Sequence, residues 1–304
     1  MSATSGSEAC RGTDATILEV AVQCESVLGE GPVWDARRRV LWWVDIFGKL
    51  VHRYDPAAGS DAAFSTAQAV GAVAPRRSGG LVLCLEDGFA TTDVEGEGLD
   101  WIARVDIDRP LNRMNDARVD ARGRLWAGTV AEDHKIGAGT LYRLDVDGIA
   151  YPIVKGLTIS NGLDWSPDGR TLYFIDSRAG CVYAGDFDVE AGTVSNQRAV
   201  VTIAEEDGLP DGMTVDADGL LWVAIYGGGC VRRYRSDGSV DRVVNVPATY
   251  VTSCGFGGDA LEDLYITTGR RDASAEVLQG EPLAGSLFRC RPGVRGRRSE
   301  EYLG

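Results

Sequence analysis

No stretch of the 304-residue chain approaches the ~20 consecutive apolar residues that a bilayer-crossing helix needs; the longest apolar runs, at 40–44 and 220–226, are far shorter. Histidine occurs only at His52 and His134, too far apart to form a ligand pair by spacing. Catalysis by either is not expected. The seven cysteines (Cys10, Cys24, Cys84, Cys181, Cys230, Cys254, Cys290) are odd in number, scattered, and include no C-x-x-C. That pattern argues against a disulfide framework and a zinc knuckle, and leaves mostly reduced structural thiols. Basic residues are outnumbered, 31 against 45 acidic, for a formal charge of −14. Such a field repels phosphate backbones and anionic lipid surfaces, so neither nucleic acid nor a membrane is an expected partner. The first 14 residues lack a basic segment followed by an apolar one, so residues 1–15 read as a flexible tail and the expected compartment is the cytoplasm. G-x-S-x-G, H-E-x-x-H and a phosphate-binding glycine loop are all missing.

What the chain has is repetition. A short apolar strand, a tight Asp/Gly turn and a second strand opening Leu-Trp or Leu-Tyr recur at 119–126, 165–173 and 215–222, with weaker copies ending at 41–42, 81–82 and 264–265. The marker leucines stand at 41, 81, 125, 172, 221 and 264, a period in the range of ~40 to 50 residues that marks propeller blades. The expected fold is therefore all-β, a six-bladed β-propeller with four-stranded blades, occupying residues 16–290 as a single domain. The alternatives are an eight-bladed ring or a two-sheet sandwich. In the third unit the strands fall at 115–120, 125–130, 139–145 and 150–155. The sixth unit offers only 252–256, 263–267 and 285–290, followed by an Arg- and Gly-rich C-terminal tail at 291–304. Its missing outer strand is expected from the N-terminal run 17–24, which closes the ring and covers its edges.

The first residues of each inner strand point at the top of the central channel. Ten or eleven positions before the marker leucines stand Glu30, Asn115, Asn161 and Asp211, with Gly71 and Ser253 in the other two units. Two carboxylates and two amides form a hard-oxygen set suited to calcium, magnesium or manganese. A divalent cation would also remove the repulsion between Glu30 and Asp211 in a partly desolvated channel. Taken singly, Asn-Gly and Asp-Gly are turn formers; the shared repeat phase makes them a candidate site.

At these residues the sequence resembles the senescence marker protein 30/gluconolactonase/luciferin-regenerating enzyme family over about residues 21–289. The resemblance is carried by Leu-Gly-Glu-Gly-Pro-Val-Trp at 28–34, Arg-Met-Asn-Asp-Ala-Arg-Val-Asp at 113–120, Ala-Gly-Thr-Val-Ala-Glu at 127–132, Ser-Asn-Gly-Leu-Asp-Trp-Ser-Pro-Asp-Gly at 160–169 and Pro-Asp-Gly-Met at 210–213. It implies a metal-dependent propeller with Glu30, Asn161 and Asp211 as metal ligands, Asn115 as a fourth ligand or a substrate contact, and Arg113 as a holder of sugar-like substrate. Asp116 matches the motif and is expected to brace its loop. The implied cofactor is one divalent ion on the axis, Ca2+ first, with Zn2+, Mn2+, Mg2+ or Fe2+ as alternatives. The implied reaction is hydrolysis of an aldonolactone to its acid, on a gluconolactone, xylonolactone or arabinonolactone, by a monomer or small homo-oligomer.

Lactone opening needs a polarised carbonyl and a water-derived nucleophile, both of which a bound metal supplies. Asp211 is the candidate base for that water; hydroxide held by the ion is an equal alternative. Arg113 and Asn115, with Glu132 beside them, would hold sugar hydroxyls or the developing oxyanion. His134, Tyr226 and Arg178 are rim candidates, and Cys254 matches no motif position. The competing readings are a non-catalytic propeller that serves as a binding platform, for which Leu-Trp-Trp-Val-Asp at 41–45 speaks, and an organophosphate hydrolase on the same oxygens.

Overall fold

The computed structural model describes residues 17–304; the N-terminal tail expected at 1–15 lies outside them. The chain forms six four-stranded antiparallel sheets arranged as a six-bladed β-propeller. The inner strands are Gly29–Asp35, Val70–Pro75, Asn112–Val119, Ser160–Trp165, Leu209–Val215 and Val251–Gly257. The last blade is completed as the sequence suggested. Its third strand, Leu287–Cys290, pairs with the N-terminal strand Leu18–Val22 through Leu18 opposite Cys290 and Val20 opposite Phe288. Among the described residues no helix is long and apolar enough to cross a membrane.

The repeated turn phrase has a physical cause. In the first, third and fifth blades the indole Nε1–H of the marker tryptophan (Trp42, Trp126, Trp222) donates to an aspartate seven, six and six residues earlier (Asp35, Asp120, Asp216) at 3.3, 2.9 and 2.8 Å. The other oxygen of Asp120 accepts the backbone N–H of Arg122 and Arg124, and that of Asp216 the N–H of Asp218 and Leu220. One buried carboxylate thus closes the hairpin turn and satisfies the indole, which would otherwise be a costly unpaired donor. The cores lie between neighbouring blades. Trp222 of the fifth packs with Val251, Leu264 and Phe288 of the sixth, and Trp42 of the first with Val70, Leu81 and Leu83 of the second. Cys254 belongs to this packing, its Sγ on the Trp222 carbonyl at 3.5 Å.

Residues 291–304 add no strand but cross the face opposite the strand tops. Backbone bonds join Gly296 to Leu261, Arg295 to Ala217, Leu303 to Gly123 and Tyr302 to Pro75, which ties the segment to blades six, five, three and two. Tyr302 is buried, and Arg76 grips the carbonyl oxygen of Gly304 through Nε and Nη2, both at 3.1 Å.

Candidate functional site

Every inner strand breaks its ladder near its N-terminal end. Register shifts fall between Glu30 and Val33, Val70 and Ala72, Met114 and Ala117, Asn161 and Leu163, Pro210 and Met213, and Val251 and Ser253. A bulge leaves a residue unpaired and re-aims the neighbouring side chains. Asn115 and Asp211 lie within bulges; Glu30 and Asn161 immediately precede them. Gly31 sits at the first bulge with φ 53°, a left-handed conformation that a side chain would strain.

Glu30, Asn115, Asn161 and Asp211, together with Arg113, line one cavity of about 540 Å3 at the top of the channel. All five are buried. The Glu30 carboxylate accepts a hydrogen bond from the Gly31 backbone N–H at 2.9 Å. Burial first, and then the charges of Asp211 and Asp116, hold its carboxyl well above the usual range. Asp211 is raised likewise, by burial and by Asp116, with no hydrogen bond from a described residue to offset it. Asp116, one residue past Asn115, is buried and pushed up to about 6, burial being the main cause. Its Oδ1 accepts the Ala117 N–H at 2.7 Å, so it braces the bulge while adding negative potential to the channel.

The amides are held in a chain. Arg113 Nη1 donates to Asn115 Oδ1 at 2.7 Å, Asn115 Nδ2 to Asn161 Oδ1 at 2.7 Å, and Asn161 Nδ2 to Ser177 Oγ at 2.8 Å. The Ser177 bond directs the nitrogen of Asn161 away and presents its oxygen on the side of Asn115. Arg113 Nε pairs with Glu132 Oε1, and Arg271 Nη2 with Glu132 Oε2 at 3.0 Å. Both guanidinium groups face the Phe47 ring, at 5.0 and 3.7 Å from its centroid. Burial depresses the Arg113 pKa, against the opposing pull of Glu132. Burial would raise Glu132, but the charge and hydrogen bond of Arg113 outweigh it and hold the carboxyl low.

The donor set suits a hard cation. It consists of oxygens, its two carboxylates lack a cationic hydrogen-bond partner, and the repulsion that raises their pKa values is relieved by divalent charge. Among the described residues no three His, Cys, Asp or Glu side chains cluster as ligands, so a cation here would need amide oxygens besides the two carboxylates.

Of the rim candidates, His134, Arg178 and Tyr226 all line the cavity. Tyr226 O–H donates to Asp272 Oδ2 at 2.7 Å. His52 lies elsewhere, stacked on Trp43 at 3.9 Å with Nδ1 2.6 Å from Asp61 Oδ2. Arg271, Asp272, Ser177 and Phe47 were not singled out from the sequence. Arg271 and Asp272 belong to the segment between Thr268 and Leu287, which carries the helix Ala275–Gly280 and has no counterpart in the other repeats. Ser177 had a signal: it follows Ile-Asp at the end of the strand beside Asn161.

Sequence comparison decides the family, because the profile of the SMP-30/Gluconolactonase/LRE-like region matches residues 28–270. The chain belongs to this family. Regucalcin of Xenopus laevis is 36% identical over 294 residues, covering 94% of this chain and 98% of its own. Pentonolactonase XacC of Haloferax volcanii is 38% identical over 284 residues, covering 91% and 96%. Among solved structures of the SMP-30/gluconolactonase/LRE-like family, a calcium-binding protein, regucalcin, from Agrobacterium tumefaciens str. C58 matches with a TM-score of 0.90 and 27% identity, over 94% of this chain and 97% of that one. The family thus includes a protein named for lactone hydrolysis and one named for calcium binding.

Proposed function

We propose that the protein hydrolyses a sugar lactone to its aldonic acid, with a divalent cation held by Glu30, Asn161 and Asp211 and with Asn115 beside them. The observation that carries this reading is the pair of buried, mutually repelling carboxylates facing an amide chain and a guanidinium in one cavity. Ca2+ is the first candidate ion, given hard oxygen donors and a calcium-binding relative. When bound, the cation supplies neutralising charge and polarises the lactone carbonyl.

The chain's own groups do the rest. Asp211 accepts a proton from the attacking water, whose oxygen forms the new bond to the carbonyl carbon. The acyl–oxygen bond of the ring then breaks, the ring oxygen takes up a proton, and the acid product ionises to release one. Arg113, fixed by Glu132 and stacked toward Phe47, offers charge-assisted hydrogen bonds to the oxygen on which negative charge develops. Glu132 and Asn115 Oδ1 keep lone pairs to orient sugar hydroxyls, the two amide protons of Asn115 being donated to the Ser160 carbonyl and Asn161 Oδ1, a positioning effect that converts binding into rate.

The test is lactone opening followed by pH indicator on gluconolactone, xylonolactone and arabinonolactone, before and after EDTA. Opening that stops with EDTA, returns with Ca2+ or another divalent ion, and falls at least about 100-fold in Asp211→Asn supports the reading. Absent or EDTA-insensitive opening across that panel moves the protein to the binding-platform reading, and undiminished turnover in Asp211→Asn removes Asp211 as the base.

A further inference from the structure

Three arginines line the cavity, and their engagement differs. Arg113 and Arg271 share the carboxylate of Glu132 and the face of Phe47. Arg178 is exposed and makes no hydrogen bond or ion pair with any described residue. Its backbone is nevertheless fixed. The residue occupies the middle of the 3-10 turn Ser177–Ala179, closed by Gly180 at φ 65° with its N–H on Ser177 O. Ser177, adjacent in the chain, is the residue that orients Asn161 through its Oγ at 2.8 Å. The turn's backbone therefore sets Arg178, with its guanidinium unpaired among the described residues, on the wall of the cavity that contains the proposed cation site.

We propose that Arg178 selects a sugar lactone bearing a carboxylate at the end remote from the scissile ester. This rests on the lactonase reading and names its substrate class. The guanidinium has the planar fork that matches a carboxylate with two parallel hydrogen bonds. The ligand's charge is set by the rest of the wall. Asp133 and Asp272 line the same cavity, Asp133 engaged by the Lys135 backbone N–H and Asp272 by Tyr226. One unpaired cation in a cavity wall that also carries two carboxylates suits a monoanionic group and disfavours the denser charge of a phosphate. The cavity, about 540 Å3, has room for a six-carbon lactone whose far end reaches this wall.

The experiment compares kcat/KM of the cation-loaded protein for glucono-1,4-lactone, glucaro-1,4-lactone and a 6-phosphogluconolactone. The first two share a ring and differ in the terminal group, a primary alcohol against a carboxylate. The wild type is expected to prefer glucarolactone by about tenfold or more, the size of one charge-assisted pair. Arg178→Gln is expected to bring that ratio near unity, chiefly through KM, while Arg178→Lys keeps part of it. Added salt should narrow the wild-type ratio. Opening of gluconolactone with no preference for glucarolactone, or a preference that survives in Arg178→Gln, overturns this inference and leaves the lactonase reading standing. Preference for the phosphorylated lactone overturns the choice of carboxylate. Opening of none of the three while xylonolactone or arabinonolactone is opened overturns this inference alone, and opening of no lactone in either panel overturns both.

Discussion

Glu30 and Asp211 are placed against their own stability. Each is buried with a carboxyl raised by desolvation and by neighbouring negative charge, so the ion-free folded chain binds protons that the unfolded chain would already have released. Stability of that form consequently falls as pH rises from the ordinary carboxylate range through the raised values, and Asp116, at about 6, adds to the same trend. Asp211→Asn removes one of these charges. In EDTA the variant should melt a few degrees above the wild type at pH 8, with the gap closing by pH 5; identical pH profiles would show that Asp211 carries no such penalty. Residues of this kind were legible because they break the rule for buried positions, polar side chains recurring where a strand should be apolar. Arg113 was reached through motif resemblance. Arg271 was not reached, since its approach to Glu132 depends on backbone bonds from Arg270 and Arg271 to Val27 that no local pattern announces.

At the scale of the element, the bulge near the start of each inner strand is the device that turns repeat phase into a common point in space. Gly71 shows why the second of the six phases carries no side chain. A Cβ there would stand 2.3 Å from the Asn115 carbonyl oxygen and 2.5 Å from that of Met114, so the second blade contributes close backbone approach and no side chain. Gly71→Ala should push the third inner strand outward. The expected cost is about 1–3 kcal/mol of stability, as for overpacking elsewhere, together with weaker cation binding measured by calorimetry; unaltered stability and affinity would mean the strands are free to separate. The strand pattern itself was readable because the aspartate that closes a turn and receives the indole proton forces a fixed spacing between Asp and Trp. In the sixth unit the segment that holds the helix Ala275–Gly280 separates the second and third strands, and the fourth strand comes from the other end of the chain, so the local sequence offered only a partial blade.

For the whole molecule, two chain ends secure the ring. The N-terminal strand completes the last blade, as the missing outer strand of the sixth unit suggested, and residues 291–304 strap the opposite face through Tyr302 and Gly304. The second feature had no readable signal, because an Arg- and Gly-rich segment gains its order from blades far away in sequence. Between these fastenings the circle brings Glu30, Asn161 and Asp211, from the first, fourth and fifth blades, to one cavity.

The decisive test of that convergence is calorimetric titration of Ca2+ into EDTA-stripped, desalted protein, wild type beside Glu30→Gln/Asp211→Asn. One ion bound per chain in the wild type and none in the doubly substituted, folded variant is the predicted result. Equal calcium binding by both proteins would place the ion elsewhere and contradict the account.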